Sequence, residues 1–90
     1  MSYSCYITFP TTYFAIRAET MLKGNVNYFK MVPVPRSISS SCGTALRCKC
    51  EDIEFIRNSL LQNGVELERF YRLEESGLSA PQVEEIHFNE

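Results

Sequence analysis

Ninety residues with four cysteines and a formal charge of −2 leave room for one domain and one core. A chain this short buries only about 60–65% of its unfolded surface, so a deep closed cavity is not expected and function should sit in a loop or at an edge. Five of the eleven acidic residues lie from Glu74 onward, where there is no Lys or Arg, so residues 1–73 carry a net of +3, too little to argue for nucleic acid on charge alone.

The opening MSYSCYITFP has no basic start and no long apolar run. Neither a signal peptide nor a membrane span is expected, and the cytoplasm is the expected setting. Thiols stay reduced there, so Cys5, Cys42, Cys48 and Cys50 are read as free thiols; no pair has C-x-x-C spacing.

YSCYITFP alternates, with Cys5, Ile7 and Phe9 on one face and Tyr6 and Thr8 on the other: a half-buried strand ending at Pro10. TTYFAIRAETMLKGN follows helical spacing through Phe14, Ala15, Ala18, Met21 and Leu22, with Thr11 or Thr12 to start it and Gly24 to end it. VNYFKMVPV reads as a second strand that Pro33 ends or confines to an edge. GTALRCKC is a third strand, with Leu46 and Cys48 opposite Arg47 and Lys49. EDIEFIRNSLLQNG is a second helix with Ile53, Ile56 and Leu60 as its stripe, an acidic first turn and Asn63-Gly64 as its stop. VELERFYRL is a fourth strand whose register breaks near Phe70.

The order βαββαβ predicts an α+β, ferredoxin-like sandwich: a four-stranded antiparallel sheet with two helices on one face. The other face then needs a cover for its aromatic residues. Residues 1–73 form the expected domain and 74–90 an acidic tail. Within that tail, LSAPQVEEIHF predicts a short helix: Ser79 and Gln82 fit a capping box, Pro81 suits the first turn, and Leu78 can staple to Val83.

Between the second and third strands lies PRSISSSCG, Pro35 to Gly43, with Ile38 its one apolar residue besides Cys42 and the proline. Gly43 permits unusual backbone and close approach of another molecule. Ser37, Ser39, Ser40 and Ser41 supply hydroxyls and N–H groups that can form an anion nest, and Arg36 adds positive charge. Such surroundings favour thiolate at Cys42, which makes it a nucleophile able to carry sulfur. The same composition suits a flexible polar loop with an incidental thiol. Cys42 and Arg47 do not form a phosphatase-type loop, because Gly43 to Lys49 alternates as a strand.

PRSISSSCGTALR, together with FPTTYFAIRAETMLKG before it and NSLLQNGVELERFYRL after it, resembles the selenium/sulfur carrier-like domain family over roughly residues 4–73. Similar members place a Pro-Arg-x-Ile/Leu-Ser-Ser-Ser-Cys-Gly run between the second and third strands. The resemblance implies that Cys42 is the carrier cysteine.

The other cysteines have two readings. Cys48 and Cys50 form a C-x-C pair whose side chains can converge on a soft metal, with Cys5 as a third ligand. Alternatively, Cys5 and Cys48 are small core residues and Cys50 lies near the start of the second helix; no metal or other cofactor is the expectation. Cys48 and Cys50 can also act as resolving thiols for Cys42. His87 in the acidic tail is read as solvated rather than catalytic. The five tyrosines are read as sheet-face residues, since TALRCKC lacks the aromatic pattern of RNA-binding sheets.

The expected function is a sulfur or selenium carrier rather than an enzyme in the strict sense. Cys42 takes sulfur from a donor protein and hands it to an acceptor protein, with Arg36, Ser39, Ser40, Ser41 and Gly43 stabilising the anion. No nucleic acid or membrane is expected as a partner, and the chain is a monomer or homodimer. The alternative is an anion-binding or protein-interaction module without thiol chemistry.

Overall fold

The computed structural model describes residues 3–26, 28–74 and 82–88. The chain runs β1 (Tyr3–Thr8), α1 (Thr12–Leu22), β2 (Phe29–Pro33), β3 (Thr44–Cys48), a 3-10 turn (Cys50–Asp52), α2 (Ile53–Gln62), β4 (Phe70–Glu74) and β5 (Gln82–Glu85). The strands form one sheet in the order β2-β3-β1-β4-β5, with every neighbouring pair antiparallel. Among the described residues no helix is long and apolar enough to cross a membrane.

Alternation decides which face of the sheet each side chain joins. Cys5, Ile7 and Phe9 point with Leu46 and Cys48 to the front, where α1 contributes Ala15, Ala18 and Leu22, and α2 contributes Ile53, Ile56 and Leu60. The two alanines are the positions where α1 can come closest to the strands. α2 ends where its pattern stops: Gly64 takes φ +77°, and Val65 N–H closes the last turn onto the Leu60 carbonyl at 3.0 Å. Val65 then drops into the front core.

The back face is a second, smaller core. Tyr6, Ala45, Tyr71 and Leu73 are buried there together with Ile38, and Val32 and Val34 pack against them. Its cover is therefore the serine loop itself. Ile38, an isolated apolar residue in a polar run, is 7% exposed because it is the side chain that seals this face.

Three expectations are corrected. The sheet has five strands, not four, and residues 82–85 of the predicted tail helix form β5. β4 presented an open edge, and a four-residue segment gains more from ladder hydrogen bonds than from a single helical turn. Cross-strand charge adds to the pairing: Arg72 bonds Glu84, and Arg69 lies 3.8 Å from Glu85. Ile86 N–H donates to the Phe70 carbonyl at 2.8 Å, and Phe88 sets its ring edge-on to Phe70 beneath Arg57. The proposed caps Leu78, Ser79 and Pro81 lie outside the described residues. The fourth strand is also shorter at its start than VELERFYRL suggested, beginning at Phe70.

Candidate functional site: the serine–cysteine loop

The loop joins β2 to β3. Their last paired residues are Pro33 and Thr44, and one further bond, from Val34 N–H to the Gly43 carbonyl at 3.1 Å, closes its base. Ile38 N–H donates to the Pro35 carbonyl at 3.1 Å, so Arg36 and Ser37 form an exposed outer turn while Ile38 turns inward. Gly43 re-enters β3 at φ +78°, a left-handed conformation that side chains resist, although an added Cβ would meet nothing within 4 Å. The loop thus wraps one end of the sheet. Ile38 joins the back core, and Cys42 leans on the front core.

Cys42 is half-buried and its surroundings are local. Its Sγ donates to the Thr44 carbonyl at 3.3 Å. The Ser40 hydroxyl lies 3.6 Å from the same sulfur, accepts Cys42 N–H at 3.3 Å, and donates to the Thr44 carbonyl at 3.5 Å. The thiol proton is engaged by a carbonyl, and a hydroxyl stands beside the sulfur. Once the proton leaves, Ser40 can turn its own O–H from the carbonyl onto the sulfur anion.

Ser41 faces the other way. Its N–H donates to Glu68 Oε1 at 3.0 Å, and its hydroxyl donates to Glu68 Oε2. This grip, the Ser41 hydroxyl first, holds the Glu68 carboxyl below the usual carboxylate range against the opposing effect of burial. Glu68 arrives there through Thr8. Glu68 N–H donates to the Thr8 carbonyl at 2.8 Å, and Arg69 N–H donates to the Thr8 hydroxyl at 3.0 Å. These bonds carry the β1–β4 pairing past the strand end and set residue 68 against the loop.

Of the residues singled out from the sequence, the structure gathers Ser40, Ser41, Cys42 and Gly43 at the base of the loop. Ser39 is exposed beside them, and Arg36 is exposed on the outer turn. The part of an anion nest that Ser41 was expected to offer is occupied by the protein's own carboxylate. Glu68 and the Thr44 carbonyl are the groups that sequence reading missed. Glu68 lies far along the chain, and only the β1–β4 register brings it here.

The remaining sulfurs lie at the opposite end of β3, and the expectation of four free thiols is corrected. Cys5 and Cys50 form a disulfide across a Cα–Cα distance of 4.9 Å. Cys48 is the direct register partner of Cys5, and two residues later the 3-10 turn brings Cys50 back over β1. Cys48 stays a buried thiol pushed up to about 12, by burial first and then by the charge of Asp52. It is protonated at neutral pH and far along the strand from Cys42, which removes the resolving-thiol reading. Among the described residues no group of three or more His, Cys, Asp and Glu side chains is placed to hold a metal ion. His87 lines the same groove as Cys5 and Cys50.

No curated protein and no solved structure matches the chain. A family model described as "Putative Se/S carrier protein-like" matches residues 4–72, which span β1 into β4 and include the whole serine–cysteine loop. The chain belongs to that selenium/sulfur carrier protein-like family.

Proposed function

We propose that this protein carries sulfane sulfur or selenium on Cys42. The Cys42 thiolate attacks the outer sulfur of a donor persulfide. A new S–S bond forms at Cys42, the donor's S–S bond breaks, and the donor leaves as a thiolate. Transfer to an acceptor thiolate repeats the step in reverse roles, so neither half needs an outside oxidant or reductant. The observation that carries this reading is the half-buried Cys42 thiol with the Ser40 hydroxyl at 3.6 Å, ready to donate to the anion. Half-burial shields a persulfide from bulk solvent while leaving it within reach of a partner's sulfur. Ser39, Ser41, Gly43 and Arg36 then line the approach of the donor and acceptor proteins. The domain that does this is residues 1–73, a ferredoxin-like unit supported by the order β2-β3-β1-β4, to which the tail adds one edge strand.

One observation favours a second reading, an anion-binding or interaction module. Ser41 already grips a carboxylate with both N–H and hydroxyl. A partner's carboxylate could displace Glu68 there without any thiol chemistry. The Cys42→Ser variant separates the two. Incubated with a cysteine desulfurase and cysteine, the wild type should gain sulfur and the variant should not, whereas binding through Ser41 would persist in both.

A further inference from the structure

The Cys5–Cys50 disulfide is unevenly exposed. Cys5 is 1% exposed under the front core, while Cys50 is half-buried at the start of the 3-10 turn. The pair borders a groove of about 420 Å³, walled on one side by Ile53 and Arg72 and on the other by Glu84, Glu85, Ile86 and His87. That second wall is β5 and the segment after it, which lie outside residues 4–72 of the family match. It is held in place by the β4–β5 ladder, by Ile86 N–H on the Phe70 carbonyl and by Phe88 against Phe70. The groove carries an ion pair, Arg72 on β4 with Glu84 opposite it on β5. A volume of this order accommodates a small molecule rather than a folded protein.

From this juxtaposition we infer that the Cys5–Cys50 bond is a thiol-exchange site whose substrate is a small zwitterionic thiol. The exposed Arg72–Glu84 ion pair can open onto such a ligand, Arg72 taking its carboxylate and Glu84 its ammonium, which leaves its sulfur toward Cys50. The thiol loses its proton to solvent, and its thiolate attacks Cys50 Sγ. The Cys5–Cys50 bond breaks, its electron pair goes to Cys5 Sγ, and Cys5 takes up a proton, the form that burial favours. A second small thiol, deprotonated in the same way, attacks the mixed disulfide and leaves as the small-molecule disulfide, and the Cys50 thiolate takes up a proton. The net change is two thiols oxidised and one protein disulfide reduced. The inference goes beyond carriage at Cys42, because the two sites flank opposite ends of β3.

The test uses the Cys42→Ser protein, which lacks the competing loop thiol. The folded protein, isolated without reductant, is treated with glutathione or with 2-mercaptoethanol at equal thiolate concentration. It is then alkylated and mapped by peptide mass. The expected result is a glutathione adduct on Cys50 and none on Cys5, followed by alkylation of both, with glutathione several-fold faster than 2-mercaptoethanol. Cysteines 5 and 50 reduced at isolation, an adduct on Cys5, opening only in denaturant, or equal rates for the two thiols would each overturn the inference. Failure here leaves sulfur loading on Cys42 in the wild type untouched, so the two claims fall separately.

Discussion

At the Thr44 end of β3 a single thiol stands in a hairpin loop, with a serine hydroxyl at 3.6 Å and a carbonyl accepting its proton. At the Cys48 end two sulfurs are bonded to each other and a third is buried beyond easy ionisation. The same element therefore presents sulfur in two chemical states, and the difference lies in the surroundings rather than in the cysteines. At the first end the loop has to cross from the back core to the front core, which leaves Cys42 half-covered and its neighbours polar. At the second, β1 and the 3-10 turn converge so closely that Cys5 and Cys50 meet. Sulfur carriage is expected only at the first end, and stabilisation by a covalent link only at the second.

The sharpest way to break this division is to remove the link. Cys50→Ser opens a loop with a sequence separation of 45 residues and should cost about 4 kcal/mol in a chain-entropy account. Denaturant unfolding would measure that loss, and sulfur loading of Cys42 under native conditions should not change. Ile38→Ala probes the loop end. Truncating a buried isoleucine costs about 2–4 kcal/mol, and here it also loosens the loop's hold on the back face. Stability should fall, and alkylation of Cys42 in the native protein should become faster; an unchanged alkylation rate would mean that Ile38 does not position the cysteine.

Gly43→Ala keeps every contact but forces a side chain into φ +78°, for about 1 kcal/mol of destabilisation. The cost should appear in thermal unfolding, accompanied by altered Cys42 reactivity. The smallest effect belongs to Glu68. Its carboxyl titrates below the ordinary range in the folded state, so its contribution to stability is present at neutral pH and is lost as pH falls through that depressed value. Glu68→Gln should lower the melting temperature at pH 7, and the gap to wild type should shrink in acid.

Much of this arrangement was legible in the residues. The alternation of YSCYITFP put Cys5 with Ile7, and that of GTALRCKC put Leu46 with Cys48; the structure joins the two sets in one core with the stripe Ile53, Ile56 and Leu60. PRSISSSCG was legible as the loop between β2 and β3. What escaped was set by distant pairing. Ile38 looked stranded because nothing local says that the loop folds over Tyr6 and Tyr71. Glu68 reaches Ser41 only through the register of β1 with β4. The Cys5–Cys50 bond needs the β1–β3 register and the turn after β3 together. The tail misled because its capping signals are local, whereas the free edge of β4 that captured it is not.

The most direct test of the central claim is intact-mass spectrometry under non-reducing conditions, after wild-type and Cys42→Ser proteins meet a cysteine desulfurase with cysteine. The account predicts a one-sulfur adduct on the wild type, mapped to Cys42, and none on the variant. An unmodified wild type, or the same adduct on both proteins, would contradict carriage at Cys42.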